Sequence, residues 1–274
     1  MTREFKTELV NLAPVIASLL FGTTCAYLLL MSQMGIFEVT VFPEGAGSFG
    51  NALYFVVLVA IGQASLLYVL LKRKSRRLIS LITGFALATA VFMLSFIYLL
   101  ALFSMFNIPY ADTPSLALST LTTILACFAV YRAKSKFGSL VVVLFGGALG
   151  TFLGFAIPTL STILILTFLA VYDAFAVYYG PVGKIARNGL EQLRGLSYSF
   201  KNVQMGLGDL TFYSMLTSRV LFDAGALFCF ASASGVLVGV ALAFKMLEKK
   251  GMFPGLPFPT ALGLIPLVVS FFTR

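Results

Sequence analysis

Two aspartates stand where a charge is expensive. Of the ten acidic residues, Glu4, Glu8, Glu38, Glu44, Asp112, Glu191 and Glu248 fall in polar segments outside the apolar runs. Asp223 follows Arg219 by four residues, the spacing of an ion pair on one helix face. Asp173 and Asp209 remain, each embedded in an apolar run. An Asp at the centre of a membrane helix costs about 2.5–3.5 kcal/mol even on a lenient scale, which implies a function. Helix rise puts Asp173 roughly 9 Å and Asp209 roughly 5 Å from the same membrane face, on helices running in opposite directions. The carboxyls therefore share one layer, with no basic residue of either helix beside them. Two such carboxyls cannot both ionise and hold one proton between them. That arrangement suits peptide hydrolysis. The ionised carboxyl takes a proton from water, while the neutral one polarises the scissile carbonyl and protonates the leaving amine. An ion-binding pair in a channel or secondary transporter is the alternative that spacing alone leaves open.

The rest of the composition narrows the chemistry. The chain has no histidine, so Ser–His and Cys–His dyads and HExxH zinc sites are excluded. Cys25, Cys127 and Cys229 each sit alone in an apolar run and read as small buried hydrophobes. No metal or cofactor is implied.

Those aspartates need a scaffold, and the composition specifies lipid as its solvent. Over 274 residues, 59% are hydrophobic and 11% charged, with mean hydropathy +1.00. A soluble domain has about 25% charged residues. Nine apolar runs are predicted to span the membrane: 12–34, 50–71, 78–103, 115–131, 138–156, 158–179, 206–222, 224–244 and 257–272. The first is too long for the apolar part of a signal peptide. All but Arg219 and Arg274 of the 19 Lys and Arg fall before the first run or after the second, fourth, sixth and eighth. This alternation predicts a cytoplasmic N-terminus and an outer C-terminus. It also accounts for the +9 net charge without nucleic acid.

The reading is one membrane domain, 1–274: spans one to six in 1–179, a cytoplasmic loop over 180–205, and spans seven to nine in 206–274. Within the loop, Ile185, Leu190, Leu193 and Leu196 have roughly helical spacing. They predict an amphipathic surface helix or, alternatively, a mobile gate. Gly146, Gly150 and Gly154, and likewise Gly235, Gly239 and Ala243, form small-residue ridges for close helix packing.

The residues around the aspartates add a resemblance. Tyr172-Asp173 stands in the sixth run, Gly206-Leu207-Gly208-Asp209 opens the seventh, and Pro254-Gly255-Leu256-Pro257 precedes the ninth. This set resembles the presenilin and signal peptide peptidase superfamily of intramembrane aspartyl proteases, over about residues 165–272. Its marks are Tyr-Asp, Gly-x-Gly-Asp and Pro-Ala-Leu on the sixth, seventh and ninth helices. The resemblance implies a presenilin-like all-α polytopic fold and an aspartic endopeptidase that cleaves within single-span membrane proteins. It makes Asp173 and Asp209 the catalytic pair. Tyr172, Gly206, Leu207, Gly208, Pro254, Gly255, Leu256 and Pro257 become candidate substrate-binding residues. Tyr172 either hydrogen-bonds near the pair or serves as a packing aromatic.

Two positions depart from the family pattern. Gly255 replaces the usual Ala, keeping the position small while loosening the backbone. Pro259 falls just inside the ninth span. The inferred orientation matches presenilin and is opposite to that of signal peptide peptidase. The short loop between spans six and seven resembles that of microbial homologues and implies a microbial plasma membrane. Its partners are the substrate and the lipid bilayer. Accessory subunits are not required, and homo-oligomerisation stays open.

Overall fold

The computed structural model describes residues 9–32, 35, 39–68, 76–131, 135–178, 197–200, 203–250 and 252–272. A short 3-10 turn, Leu9–Leu12, leads into α1 (Ala13–Met31). Then follow α2 (Ser48–Tyr68), α3 (Arg76–Met105), α4 (Asp112–Tyr131), α5 (Ser135–Ala156) and α6 (Thr159–Tyr178). After a hairpin come α7 (Leu207–Ala224), α8 (Ala226–Lys250) and α9 (Pro257–Phe272). Each overlaps one of the nine apolar runs, with shifts of a few residues at most ends and a six-residue extension of α8 to Lys250.

Seven of these helices, α1 to α6 and α8, are long and apolar enough to cross a membrane. This is an integral, multi-pass membrane protein. The other two helices fall short for different reasons. Helix α7 carries Asp209, Arg219 and Asp223, and eleven of its 18 residues are buried. It faces other helices on most sides and has little need of a lipid-compatible surface. Helix α9 has 16 residues, or about 24 Å at helix rise, against a hydrocarbon core of about 30 Å.

Small residues set the centre of the bundle. A Cβ on Gly150 of α5 would lie 2.1 Å from the Thr211 carbonyl oxygen of α7, and one on Gly154 would lie 2.6 Å from that of Met215. Gly147, on the adjacent face, closes on α1, where a Cβ would stand 2.5 Å from the Ser18 carbonyl oxygen. Hydroxyls follow the same seam: Thr151 donates to the Gly22 carbonyl at 2.8 Å, and its Oγ1 lies 3.0 Å from Ser218 Oγ. The second predicted ridge joins α8 to α9, with Gly239 against Pro259 and Gly235 against the Leu262 carbonyl. Helices α3 and α4 are peripheral and turn large apolar side chains such as Phe85, Ile124 and Phe128 outward. In lipid this exposure is the solvated state of an apolar surface.

The expected Arg219–Asp223 pair forms. Arg219 Nε donates to Asp223 Oδ2 at 2.9 Å, and its Nη2 reaches Oδ1. Arg219 Nη1 also donates to the carbonyls of Gly154 and Ile157, satisfying acceptors at the end of α5. Only the end of the loop before α7 falls within the described residues. It pairs as two antiparallel strands, β1 (Ser197–Phe200) and β2 (Val203–Gly206), with Ser197 opposite Gly206. Tyr198, Phe200 and Val203 are residues that favour a pleated surface. Ile185, Leu190, Leu193 and Leu196 lie outside the described residues.

Candidate active site

Asp173 lies five residues before the end of α6, and Asp209 is the third residue of α7. Between them sits the loop that precedes α9. Leu256 N–H donates to Asp173 Oδ2 at 3.0 Å, and the Gly255 amide faces the same carboxyl. On the opposite side, a Cβ built on Gly255 would lie 3.1 Å from Cγ, Oδ1 and Oδ2 of Asp209. One short loop thus touches both aspartates, and the two carboxyls are close enough to act on each other electrostatically. The nearest basic residue along α7 is Arg219, about 15 Å further on at helix rise and engaged with Asp223.

Local sequence explains each placement. Gly206 is extended, with φ −73° and ψ 149°, and caps the start of α7. Asp209 occupies the third helical position, from which a side chain reaches back toward the capping residue's amide. The Gly206 amide does face it. Both glycines leave space: a Cβ on Gly206 would meet nothing nearer than 3.9 Å, and one on Gly208 would meet only Phe212, at 3.6 Å. Pro254 and Leu256 are buried, so the loop is anchored as well as hydrogen-bonded. The Leu256 carbonyl accepts from Thr260 N–H at 3.0 Å and Thr260 Oγ1 at 2.6 Å, fixing the first turn of α9. Pro257 starts that helix and Pro259 is its third residue. Neither interrupts the helix, because first-turn amides have no intrahelical acceptor.

The remaining candidates separate into two groups. Gly206, Gly208, Gly255 and Leu256 gather around the aspartates. Leu207 packs inward and is 9% exposed, its Cδ1 lying 3.3 Å from where a Gly146 Cβ would stand. Tyr172 donates to Gln63 Oε1 of α2 at 3.0 Å. Two residues absent from the sequence reading enter the geometry. Gln63 is one, a polar side chain in the second half of α2. The other is Tyr213, whose hydroxyl donates to the Gly255 carbonyl at 2.8 Å. Its spacing was a usable signal: four residues after Asp209 puts it one turn along the same face, and a buried Tyr hydroxyl needs a partner. Among the described residues, no group of three or more Cys, Asp or Glu is placed to hold a metal ion.

The fold has known counterparts. Two solved structures of a presenilin family intramembrane aspartate protease, in the C222 and P2 space groups, superpose with a TM-score of 0.69 each. Identity is 22% and 23%, the alignments cover 96% and 98% of this chain, and they cover 99% and 100% of theirs. The chain is therefore similar to these proteases in fold over nearly its whole length. No family model matches it, and no curated protein does.

Proposed function

We propose that this protein is an intramembrane aspartyl endopeptidase in which Asp173 and Asp209 are the catalytic pair. The observation that carries the reading is the convergence of both carboxyls on the Gly255–Leu256 peptide, one from α6 and one from α7. The presenilin-like fold supports it. The ionised carboxyl removes a proton from water, and the resulting hydroxide adds to the scissile carbonyl carbon. The neutral carboxyl hydrogen-bonds that carbonyl oxygen and then gives its proton to the departing amine. Water is consumed, and the products are a carboxyl and an amino terminus.

A membrane helix hides its peptide bonds in its own hydrogen bonds, so the substrate must unwind before cleavage. The freed strand needs new partners. The β1–β2 hairpin ends at Gly206, three residues from Asp209, and offers a backbone edge for such pairing. Gly206, Gly208, Gly255 and Leu256 line the path, with Pro254 and Pro257 holding the loop. The substrates are single-span proteins of the same membrane. The chain acts as one domain of nine spans, in which α7 and α9 cross with the other seven helices. Its N-terminus lies in the cytoplasm of a microbial cell.

Two experiments test this. Purified wild type in detergent, incubated with a single-span substrate, is expected to release two product peptides. Asp173→Asn and Asp209→Asn are each expected to release none while remaining folded. Substantial cleavage by either variant overturns the catalytic pair. Flux through sealed vesicles without products would favour an ion pathway. For orientation, single cysteines at Ser75 and Ala46 are placed in a chain lacking Cys25, Cys127 and Cys229. The first should label from the cytoplasm and the second from outside; the reverse pattern overturns the topology.

A further inference from the structure

Resting on that protease reading, we propose that Tyr213 is a positioning residue that holds Asp173 through one peptide plane of the loop before α9. The Gly255 carbonyl and the Leu256 N–H belong to the same peptide group. The carbonyl accepts from the Tyr213 hydroxyl at 2.8 Å, and the N–H donates to Asp173 Oδ2 at 3.0 Å. A continuous chain of hydrogen bonds therefore runs from α7 through the loop to α6: hydroxyl, carbonyl, amide, carboxyl. Donation to the carbonyl polarises the peptide and strengthens what its N–H donates, because such chains are cooperative in a low-dielectric surrounding.

The anchor at the far end is rigid. Tyr213 is 1% exposed and belongs to the main hydrophobic core, so its ring has little freedom to follow the loop. It also rides on the helix that carries Asp209, one turn further along. Tyr213 thereby sets the separation of the two carboxyls. It ties the Asp173 end of the pair to the backbone that already carries Asp209. A peptide plane pinned at both ends cannot rotate without breaking one of two hydrogen bonds. Within Pro254-Gly255-Leu256-Pro257, only Gly255 and Leu256 have amide hydrogens, so exchange at this loop reports two sites.

The test replaces the hydroxyl and keeps the ring. Tyr213→Phe is compared with wild type and with Tyr98→Phe. The latter removes a hydroxyl that donates to the Ala148 carbonyl at 2.7 Å, between α3 and α5 and away from the site. Steady-state cleavage of a single-span substrate and amide exchange at Gly255 and Leu256 are both measured. Tyr213→Phe is expected to lower kcat about tenfold, the scale of one lost hydrogen bond, with KM within about twofold. The Leu256 amide should exchange about tenfold faster, while exchange in α1 and α5 stays at the wild-type rate. Tyr98→Phe should leave kcat and Leu256 exchange within about twofold of wild type.

Wild-type Leu256 protection in Tyr213→Phe overturns the proposal, as does unchanged kcat in an enzyme that cleaves. A rise in exchange across the whole molecule, with kcat and KM changing together, also overturns it by showing a packing role. Should wild type release no products while Tyr213→Phe still selectively deprotects Leu256, the protease reading fails and the coupling of Tyr213 to the Asp173 contact stands.

Discussion

Glycine does opposite things at the two faces of α7. Against α5, the chain closes over it: a Cβ on Gly150 would lie 2.1 Å from the Thr211 carbonyl oxygen and 2.8 Å from the Met215 nitrogen. At the start of α7, a Cβ on Gly208 would meet a single ring carbon, at ordinary contact distance. The first glycine lets two backbones touch. The second leaves room beside a carboxyl. Gly255 lies between these extremes, tight against Asp209 but through side-chain atoms that can move. Residue type alone does not say whether a glycine is structural or functional. What a Cβ would touch does.

The comparison orders the expected effects. Gly150→Val is the most damaging, because neither backbone can retreat without separating α5 from α7. Overpacking costs about 1–3 kcal/mol, and more where the neighbour is backbone. Thermal unfolding in detergent should show loss of the folded state, and a normal melting temperature would break the packing argument. Gly255→Val should fold and lose cleavage by about 100-fold, the scale of an ångström misplacement at a reacting centre. Gly255→Ala should lose only a few-fold, because the carboxyl has to give by tenths of an ångström. Equal rates for both variants would remove the loop from the site. Gly208→Ala should be the mildest. It should unfold at the wild-type temperature or above, since Ala gains up to about 1 kcal/mol over Gly in a helix. Cleavage should fall selectively for substrates with large side chains at the scissile bond. A uniform fall for all substrates would contradict open space at Gly208.

Much of this was legible in the chain. The two aspartates stood out by the cost of a carboxyl in an apolar run, and the fold brings both to the loop before α9. The apolar runs marked where helices form, and the ridges at Gly146–Gly154 and Gly235–Ala243 marked close contacts that the helices do make. Three things were not legible. The strands over 197–206 were hidden because Ser, Gln and Gly carry no clear alternation; the helical spacing of Ile185 to Leu196 lies outside the described residues. Tyr172 was read either as a hydrogen-bond donor near the aspartates or as a packing aromatic; adjacent helical positions point about 100° apart, and its hydroxyl meets Gln63 on α2. For Gly255, sequence offered only an argument from backbone entropy. The steric reason needed a loop and a helix 46 positions apart to be brought together.

The burial of α7 has a consequence for how the chain enters its membrane. Alone, this helix is a poor candidate for insertion, with three charged side chains and a surface suited to protein neighbours. It is joined to the strongly apolar α8 through the single residue Gly225, whose φ of +86° is a conformation L side chains rarely adopt. So tight a reversal lets the two helices partition as one hairpin, with the greasy arm carrying the polar arm into the bilayer. The Asp209 carboxyl on α7 thus reaches its depth as the passenger of a neighbour. A bulky residue at position 225 would act first on biogenesis, lowering the amount of integrated protein before any effect on its chemistry could be measured.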